Sequence, residues 1–269
     1  MLAPVFARAR GEYRSAFVPY VMAGDPDVAT TRRILTVLRE AGADAIELGI
    51  PYGDPLADGP TIAAAGVRAL RNGIAIEHVL DLAREVRDGA GPPIVLFTYF
   101  NPVYRYGIER FARDASAAGV AGCIVPDVAL EETAELQAAL TAHGVEMPLL
   151  IAPSTPLERA SRIAERSGGF AYVVSRLGVT GAARVPDFSP LRAHLAALRT
   201  VTRKPLAVGF GVSLPEHVRE IAPVADGIIV GSALIEAYGD SREQAAADRV
   251  RTFVVPLIAA AGYERPANL

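Results

Sequence analysis

Eight short apolar runs recur along this chain, each followed by a stretch with helical periodicity, and few folds accommodate that alternation. The runs are "FVPYVMAG" (17–24), "DAIELGI" (44–50), "PIVLFTYF" (93–100), "GCIVPD" (122–127), "EMPLLIAP" (146–153), "FAYVVSR" (170–176), "PLAVGFG" (205–211) and "DGIIVGS" (226–232). Runs this continuously apolar suit parallel strands covered on both faces. The stretches between them are amphipathic, as in "TTRRILTVLREAG" and "LEETAELQAALTAHG", and end near a glycine, as helix C-termini do. The gap between the second and third runs has room for two helical stretches, 61–72 and 76–88. Eight such units in 269 residues match a (β/α)₈ barrel, which typically needs about 250. A doubly wound open sheet is the rival architecture. No Pro/Ser linker or low-complexity stretch marks a second domain, so the expectation is one α/β TIM-barrel domain over residues 1–269.

Composition narrows the function classes. A net charge of −3 with no basic run argues against nucleic acid as a partner. The single cysteine, Cys123, excludes an internal disulfide framework and a cysteine-based metal cluster. The opening segment "MLAPVFARARGEYRS" is too short and too charged for a signal peptide. No apolar run approaches the roughly 20 residues of a membrane span. A soluble, cytoplasmic protein that makes no membrane contact is expected.

The second run contains a glutamate. In "DAIELGI" the side chains alternate, so Ile46, Leu48 and Ile50 share one face while Ala45, Glu47 and Gly49 share the other. The bulky apolar face should meet the surrounding helices, which turns Glu47 inward near the C-terminal strand end, where barrel enzymes build active sites. There Glu47 reads either as a structural carboxylate paired with an arginine or a buried water, or as a desolvated proton-transfer group. Asp58 closes the loop "PYGDPLADGP", stiffened by Pro51, Pro55 and Pro60. It reads either as the N-cap of the next helix or as a second carboxylate at the same mouth. Tyr172, on the inward set of the sixth run, is either a hydrogen-bonding assistant or a core aromatic.

The seventh and eighth runs end in "GFGVS" and "GSAL", where Gly209, Gly211 and Gly231 leave backbone N–H groups free to approach an anion. A short helix opening at Ser232 adds its first turn. "GVTGAAR" contributes Thr180 and Gly181, and its extension to about Ser189 has the makings of a lid. Together these predict a phosphate site at the loops after strands six to eight. Of the 27 basic residues only Lys204 is a lysine; it precedes the seventh strand, at the end opposite the mouth, so a Schiff-base mechanism has no amine there. The four histidines, His78, His143, His194 and His217, fall in helical stretches without metal-ligand spacing, so no metal site is expected. What remains is cofactor-free acid–base chemistry on a phosphate ester.

The segments "FVPYVMAGDP", "IELGIPYGDPLADGPTI", "YFNPVYRYG", "VPDVALEE", "SRLGVTGA", "GFGVS" and "GSAL" occur in the order and spacing of the tryptophan synthase alpha subunit family. The chain resembles that family over nearly its whole length. The resemblance implies a TIM barrel that cleaves indole-3-glycerol phosphate into indole and glyceraldehyde 3-phosphate by retro-aldol chemistry, with no cofactor of its own. Glu47 matches the family's catalytic glutamate, Asp58 the aspartate that stabilises charge at the indole N–H, and Tyr172 the neighbouring tyrosine. Gly181, Phe210, Gly211, Gly231 and Ser232 match phosphate-binding positions. Tyr20, Phe97, Tyr99 and Ile124 fall where the indole pocket is lined. The resemblance further implies a pyridoxal-phosphate beta subunit as partner in an alpha2beta2 heterotetramer, touched by loops carrying Pro51, Asp54 and Asn101. Two features depart from the family pattern: Gly53 stands where serine is common, and Met22 and Ala23 replace a smaller pair. A stand-alone indole-3-glycerol phosphate lyase would keep both acids and differ in the partner-facing loops.

Overall fold

The structure is a computed structural model that describes residues 1–175, 187–209 and 211–264. Its eight strands are β1 (Ala16–Met22), β2 (Ile46–Gly49), β3 (Ile94–Phe97), β4 (Val120–Ile124), β5 (Leu149–Ile151), β6 (Ala171–Val174), β7 (Leu206–Gly209) and β8 (Gly227–Val230). Each falls on one of the eight apolar runs, though shorter. The fourth begins earlier than read from sequence, because Val120 and Ala121 precede the run as it was bounded.

All pairings are parallel, in the order β4-β3-β2-β1-β8-β7-β6-β5. The remaining seam, between β4 and β5, is bridged just ahead of β5. There Cys123 N–H donates to the Glu146 carbonyl at 2.8 Å, and Glu146 N–H to that of Ala121 at 3.0 Å. The sheet is therefore a nearly closed barrel, not the open doubly wound alternative.

Among the described residues the helices are α1 (Ala3–Gly11), α2 (Val28–Ala41), α3 (Pro60–Arg71), α4 (Ile76–Asp88), α5 (Phe100–Tyr106), α6 (Ile108–Ala117), α7 (Ala134–Ala142), α8 (Leu157–Arg166), α9 (Ser189–Val201), α10 (Pro215–Ile221), α11 (Ser232–Tyr238) and α12 (Glu243–Ala260). The two helices read between the second and third strands are both present as α3 and α4. None of the described helices is long and apolar enough to cross a membrane.

The helix that sequence periodicity did not announce is α1, which closes the floor of the barrel. Leu2 and Phe6 are almost completely buried, and the Phe6 ring packs 5.1 Å from that of Phe170 at the start of β6. A β-carbon at Gly227 would come within 2.6 Å of the Phe6 ring, so β8 opens with a glycine to admit it. Two buried carboxylates at the strand N-termini hold the segment in place. Asp44 accepts from Arg14 at 2.6 and 2.9 Å, from Arg8 at 3.1 Å and from the Phe17 N–H at 2.9 Å. Asp226 accepts from Arg10, from Arg199 and from the Leu206 N–H. Burying these two charges is tolerable only because each is met by several donors. Lys204 lies at this same end, its carbonyl accepting from Arg199 at 2.8 Å.

Phe6→Ala is expected to destabilise the chain by about 3–5 kcal/mol, the usual cost of emptying a buried aromatic site. Urea unfolding followed by circular dichroism measures it, and a loss below about 1 kcal/mol would mean that α1 does not plug the floor.

Candidate active site

The mouth of the barrel is built from the inward positions of β1, β2, β3 and β6. Parallel register places Tyr20 beside Glu47, Glu47 beside Val95, and Phe97 beside both Gly49 and Ile124. Glu47 is 1% exposed, and among the described residues its Oε1 has no hydrogen-bond partner. Burial alone raises its pKa from 4.5 to about 8, because a desolvated carboxylate resists ionisation. The arginine-paired reading of this glutamate finds no support among the described residues.

Glycine at two strand ends gives the aromatic lid over Glu47 its room. A β-carbon at Gly49 would meet the Tyr20 hydroxyl at 2.2 Å, and one at Gly209 would meet that of Tyr172 at 2.1 Å. Both phenol rings therefore lean along their strands and across a neighbouring glycine toward the mouth. Tyr20 also meets Phe97 edge-on, with centroids 5.9 Å apart. Tyr20 and Tyr172 are buried, and their hydroxyls are held well above the usual phenol range, first by desolvation and then by the nearby charges of Asp58 and Glu47. The same two carboxylates thus act on both tyrosines.

Asp58 is half-buried at the end of the loop leaving β2. It is not a helix cap: α3 starts at Pro60 with Gly59 at the N-cap position, and no side chain caps it. Its partner is Tyr99, just past β3. The Tyr99 hydroxyl accepts from the Ala57 N–H at 3.0 Å and hydrogen-bonds the Asp58 carboxylate. Burial raises the Asp58 pKa while the Tyr99 hydrogen bond pulls it back. Tyr99 had been placed by resemblance in the pocket lining; its hold on this loop has no sequence signal, because 42 residues separate it from Ala57.

On the opposite rim, Gly211 has φ +91°, a backbone conformation that favours glycine. Gly231 precedes α11, and the Leu234 and Ile235 N–H groups close back onto its carbonyl. That leaves the first-turn N–H groups of Ser232 and Ala233 without an intrahelical acceptor. Three further expected positions, Thr180, Gly181 and Phe210, lie outside the described residues. Of the loops read as partner-facing, Asp54 and Asn101 are exposed, with Asn101 donating to the Tyr52 hydroxyl at 3.3 Å, while Pro51 is buried. Gly53 has no neighbour closer than 4.0 Å to an added β-carbon, so no neighbouring atom forces a glycine there. Met22 packs its terminal methyl toward Gly66 of α3, so the larger residue in β1 meets a position without a side chain.

All four histidines stand in or beside helices, away from the strand ends. The ring of His217 is buried against Phe188 at 5.3 Å, His78 accepts from the Ala75 N–H, and His143, just past α7, meets Glu109 at 2.8 Å. His194 lies within α9.

A family profile described as tryptophan synthase alpha chain matches residues 6–261. The chain is 47% identical over 247 residues to the tryptophan synthase alpha chain of Synechocystis sp., covering 91% of this chain and 92% of that one. It is 46% identical to that of Arabidopsis thaliana, over 89% and 87% of the two chains. Among solved structures it is similar to a chain of Mycobacterium tuberculosis tryptophan synthase, with TM-score 0.89, 38% identity and 98% of both chains covered. It is also similar to the tryptophan synthase subunit alpha of Legionella pneumophila, with TM-score 0.86, 31% identity and 97% of both chains covered.

The buried carboxyl of Glu47 has a measurable consequence for stability. Its pKa is higher folded than unfolded, so between pH 4.5 and about 8 the folded chain keeps a proton that the unfolded chain has lost. Stability conferred by that proton is complete below pH 4.5 and is lost as pH rises through about 8. Glu47→Gln carries no such dependence. Chemical denaturation should find the variant and wild type alike in acid, with the variant more stable above about pH 8 by about 5 kcal/mol. Equal stabilities across the range would mean that Glu47 is solvated. Tyr99→Phe is expected to move the Asp58 titration upward, read by carboxyl carbon NMR; an unchanged midpoint would refute the hydrogen bond.

Proposed function

Because this chain belongs to the tryptophan synthase alpha chain family, we propose that the Glu47 and Asp58 mouth is its catalytic centre. The chain is the alpha subunit of tryptophan synthase, a carbon–carbon lyase that cleaves indole-3-glycerol phosphate to indole and glyceraldehyde 3-phosphate. The single observation that carries the assignment of the site is the desolvated Glu47 carboxyl at the strand end, whose Oε1 has no hydrogen-bond partner among the described residues. With a pKa of about 8 it holds a proton at neutral pH.

Cleaving the bond between indole C3 and the glycerol side chain requires the ring to be protonated at C3. Glu47 donates that proton, and the positive charge appears on the ring nitrogen, where the Asp58 carboxylate stabilises it. The resulting Glu47 carboxylate then accepts the proton of the side-chain hydroxyl next to the breaking bond. As that oxygen becomes an aldehyde carbonyl, the bond electrons return to the ring and neutralise the nitrogen. Indole and glyceraldehyde 3-phosphate leave, and Glu47 is again protonated. Tyr172 reaches the space between the two acids with its hydroxyl. Tyr20, Phe97, Tyr99 and Ile124, all buried, are assigned to the indole end of the substrate.

Gly211, Gly231 and Ser232, with Thr180, Gly181 and Phe210, are assigned to the phosphate end of the substrate, Thr180 as part of the lid. None of these steps calls for a cofactor on this chain; pyridoxal phosphate belongs with a beta subunit that receives the indole. The exposed Asp54 and Asn101, beside Pro51, are the surface we assign to that partner, in an alpha2beta2 assembly in the cytoplasm. The chain is read as one barrel domain over 1–269, supported by a single buried apolar cluster drawn from all eight strands. The relatives are named as synthase alpha chains, which favours this role over a stand-alone lyase.

Indole release from indole-3-glycerol phosphate by the purified chain, with and without a beta subunit, tests the reading. Slow release that rises sharply with the partner is expected, and release unchanged by the partner would point to a stand-alone lyase. Glu47→Gln should bind substrate and lose cleavage by at least about a hundredfold; turnover near the wild-type rate would sink the assignment.

A further inference from the structure

The two ends of the proposed site rest on different helices. Asp58 ends the loop that feeds α3, and Gly231 and Ser232 open α11. Away from the mouth, a buried carboxylate joins these helices. Asp25, in the loop after β1, is fully buried. Its Oδ1 and Oδ2 accept from Nε and Nη2 of Arg68 on α3, at 2.6 and 2.9 Å. The same Oδ2 accepts from the hydroxyl of Tyr238, the last residue of α11, at 2.9 Å. Tyr238 is itself fully buried, so its hydroxyl cannot swing away to water. Asn72, at the end of α3, donates to the Gly24 and Pro26 carbonyls on either side of Asp25. Nearer the mouth, Thr61 in the first turn of α3 donates to Glu236 of α11 at 2.8 Å.

A bidentate guanidinium fixes the plane of the carboxylate it grips, and the phenol then fixes the distance to the third element. We propose that Asp25 is a positioning residue for cleavage: it ties α3 to α11, so that Asp58 and the phosphate cradle stand at a fixed span along the substrate. Nothing in the chemistry touches Asp25. Its effect passes through the placement of Asp58 relative to a substrate anchored at the other end. The inference rests on the phosphate reading of Gly231 and Ser232 given above.

The full-length chain carrying Tyr238→Phe loses one hydrogen bond to Asp25 and keeps the ion pair with the partly exposed Arg68. Thr61→Val cuts the second tie at an exposed position. Four quantities are measured on each variant and on the double variant: kcat for indole release, the pH midpoint of kcat, the dissociation constant of glycerol 3-phosphate as a probe of the cradle alone, and the melting temperature. Positioning predicts that kcat falls about fivefold in Tyr238→Phe and tenfold or more in the double variant, since small misplacements are costly in rate. Glycerol 3-phosphate affinity should stay within about twofold, and the pH midpoint assigned to Glu47 should not move.

An unchanged kcat in the double variant overturns the inference. So does a kcat that falls in step with glycerol 3-phosphate affinity and melting temperature, which is what general loosening would produce. Should Tyr238→Phe fail to fold, Arg68→Lys, which breaks the two-point grip on Asp25 and keeps the charge, takes its place, and an unaltered kcat there overturns the inference. Failure of wild type to bind glycerol 3-phosphate would instead overturn the phosphate reading, and is distinguishable because it appears before any substitution.

Discussion

Burying Glu47 with no partner for Oε1 among the described residues works against folding, since a carboxyl group in that position forfeits its hydration. The barrel makes it possible by supplying an inward strand position that aromatic rings roof over. Tyr20 and Tyr172 lean across Gly49 and Gly209, and Phe97 braces Tyr20 edge-on. Remove the glycines and the rings cannot lie there; remove the rings and water returns to the carboxyl. The reactive protonation state of Glu47 is therefore a property of the packing around it.

The two carboxylates of the mouth are tuned by different means. Glu47 is governed by desolvation alone, while Asp58 feels burial on one side and the Tyr99 hydroxyl on the other. Burial raises both, and only Asp58 has a hydrogen bond that pulls it back. The floor of the same barrel solves the opposite problem. Asp44 and Asp226 are buried and held by arginines and strand N–H groups, so they are structural clasps for α1 and have no spare valence for chemistry. Asp25 occupies a middle position, fully buried and bridging α3 and α11.

The eight strands and the pair α3 and α4 could be read from local patterning, because parallel strands buried on both faces and amphipathic helices leave periodic signals over short windows. Glu47 was legible for the same reason: a charge within an apolar run is a local anomaly. Asp58 was visible but ambiguous between cap and catalyst, and the cap reading falls because Gly59 takes that position. The helix α1 was missed since its short segment mixes apolar residues and arginines without clear periodicity. Its arginines make sense only beside Asp44 and Asp226, 30 and more residues away in sequence.

By itself, then, the sequence determined the number and order of the strands, the inward face of β2 and the polar residues available at the mouth, all of which follow from the two-residue and 3.6-residue periods of local backbone geometry. Tertiary structure alone decided the proton affinity of Glu47, the grip of Tyr99 on the Asp58 loop and the Asp25 link between α3 and α11. Each of these depends on groups brought together across 40 or more residues, or on the exclusion of water, and neither distance through space nor desolvation is written in any local stretch of the chain.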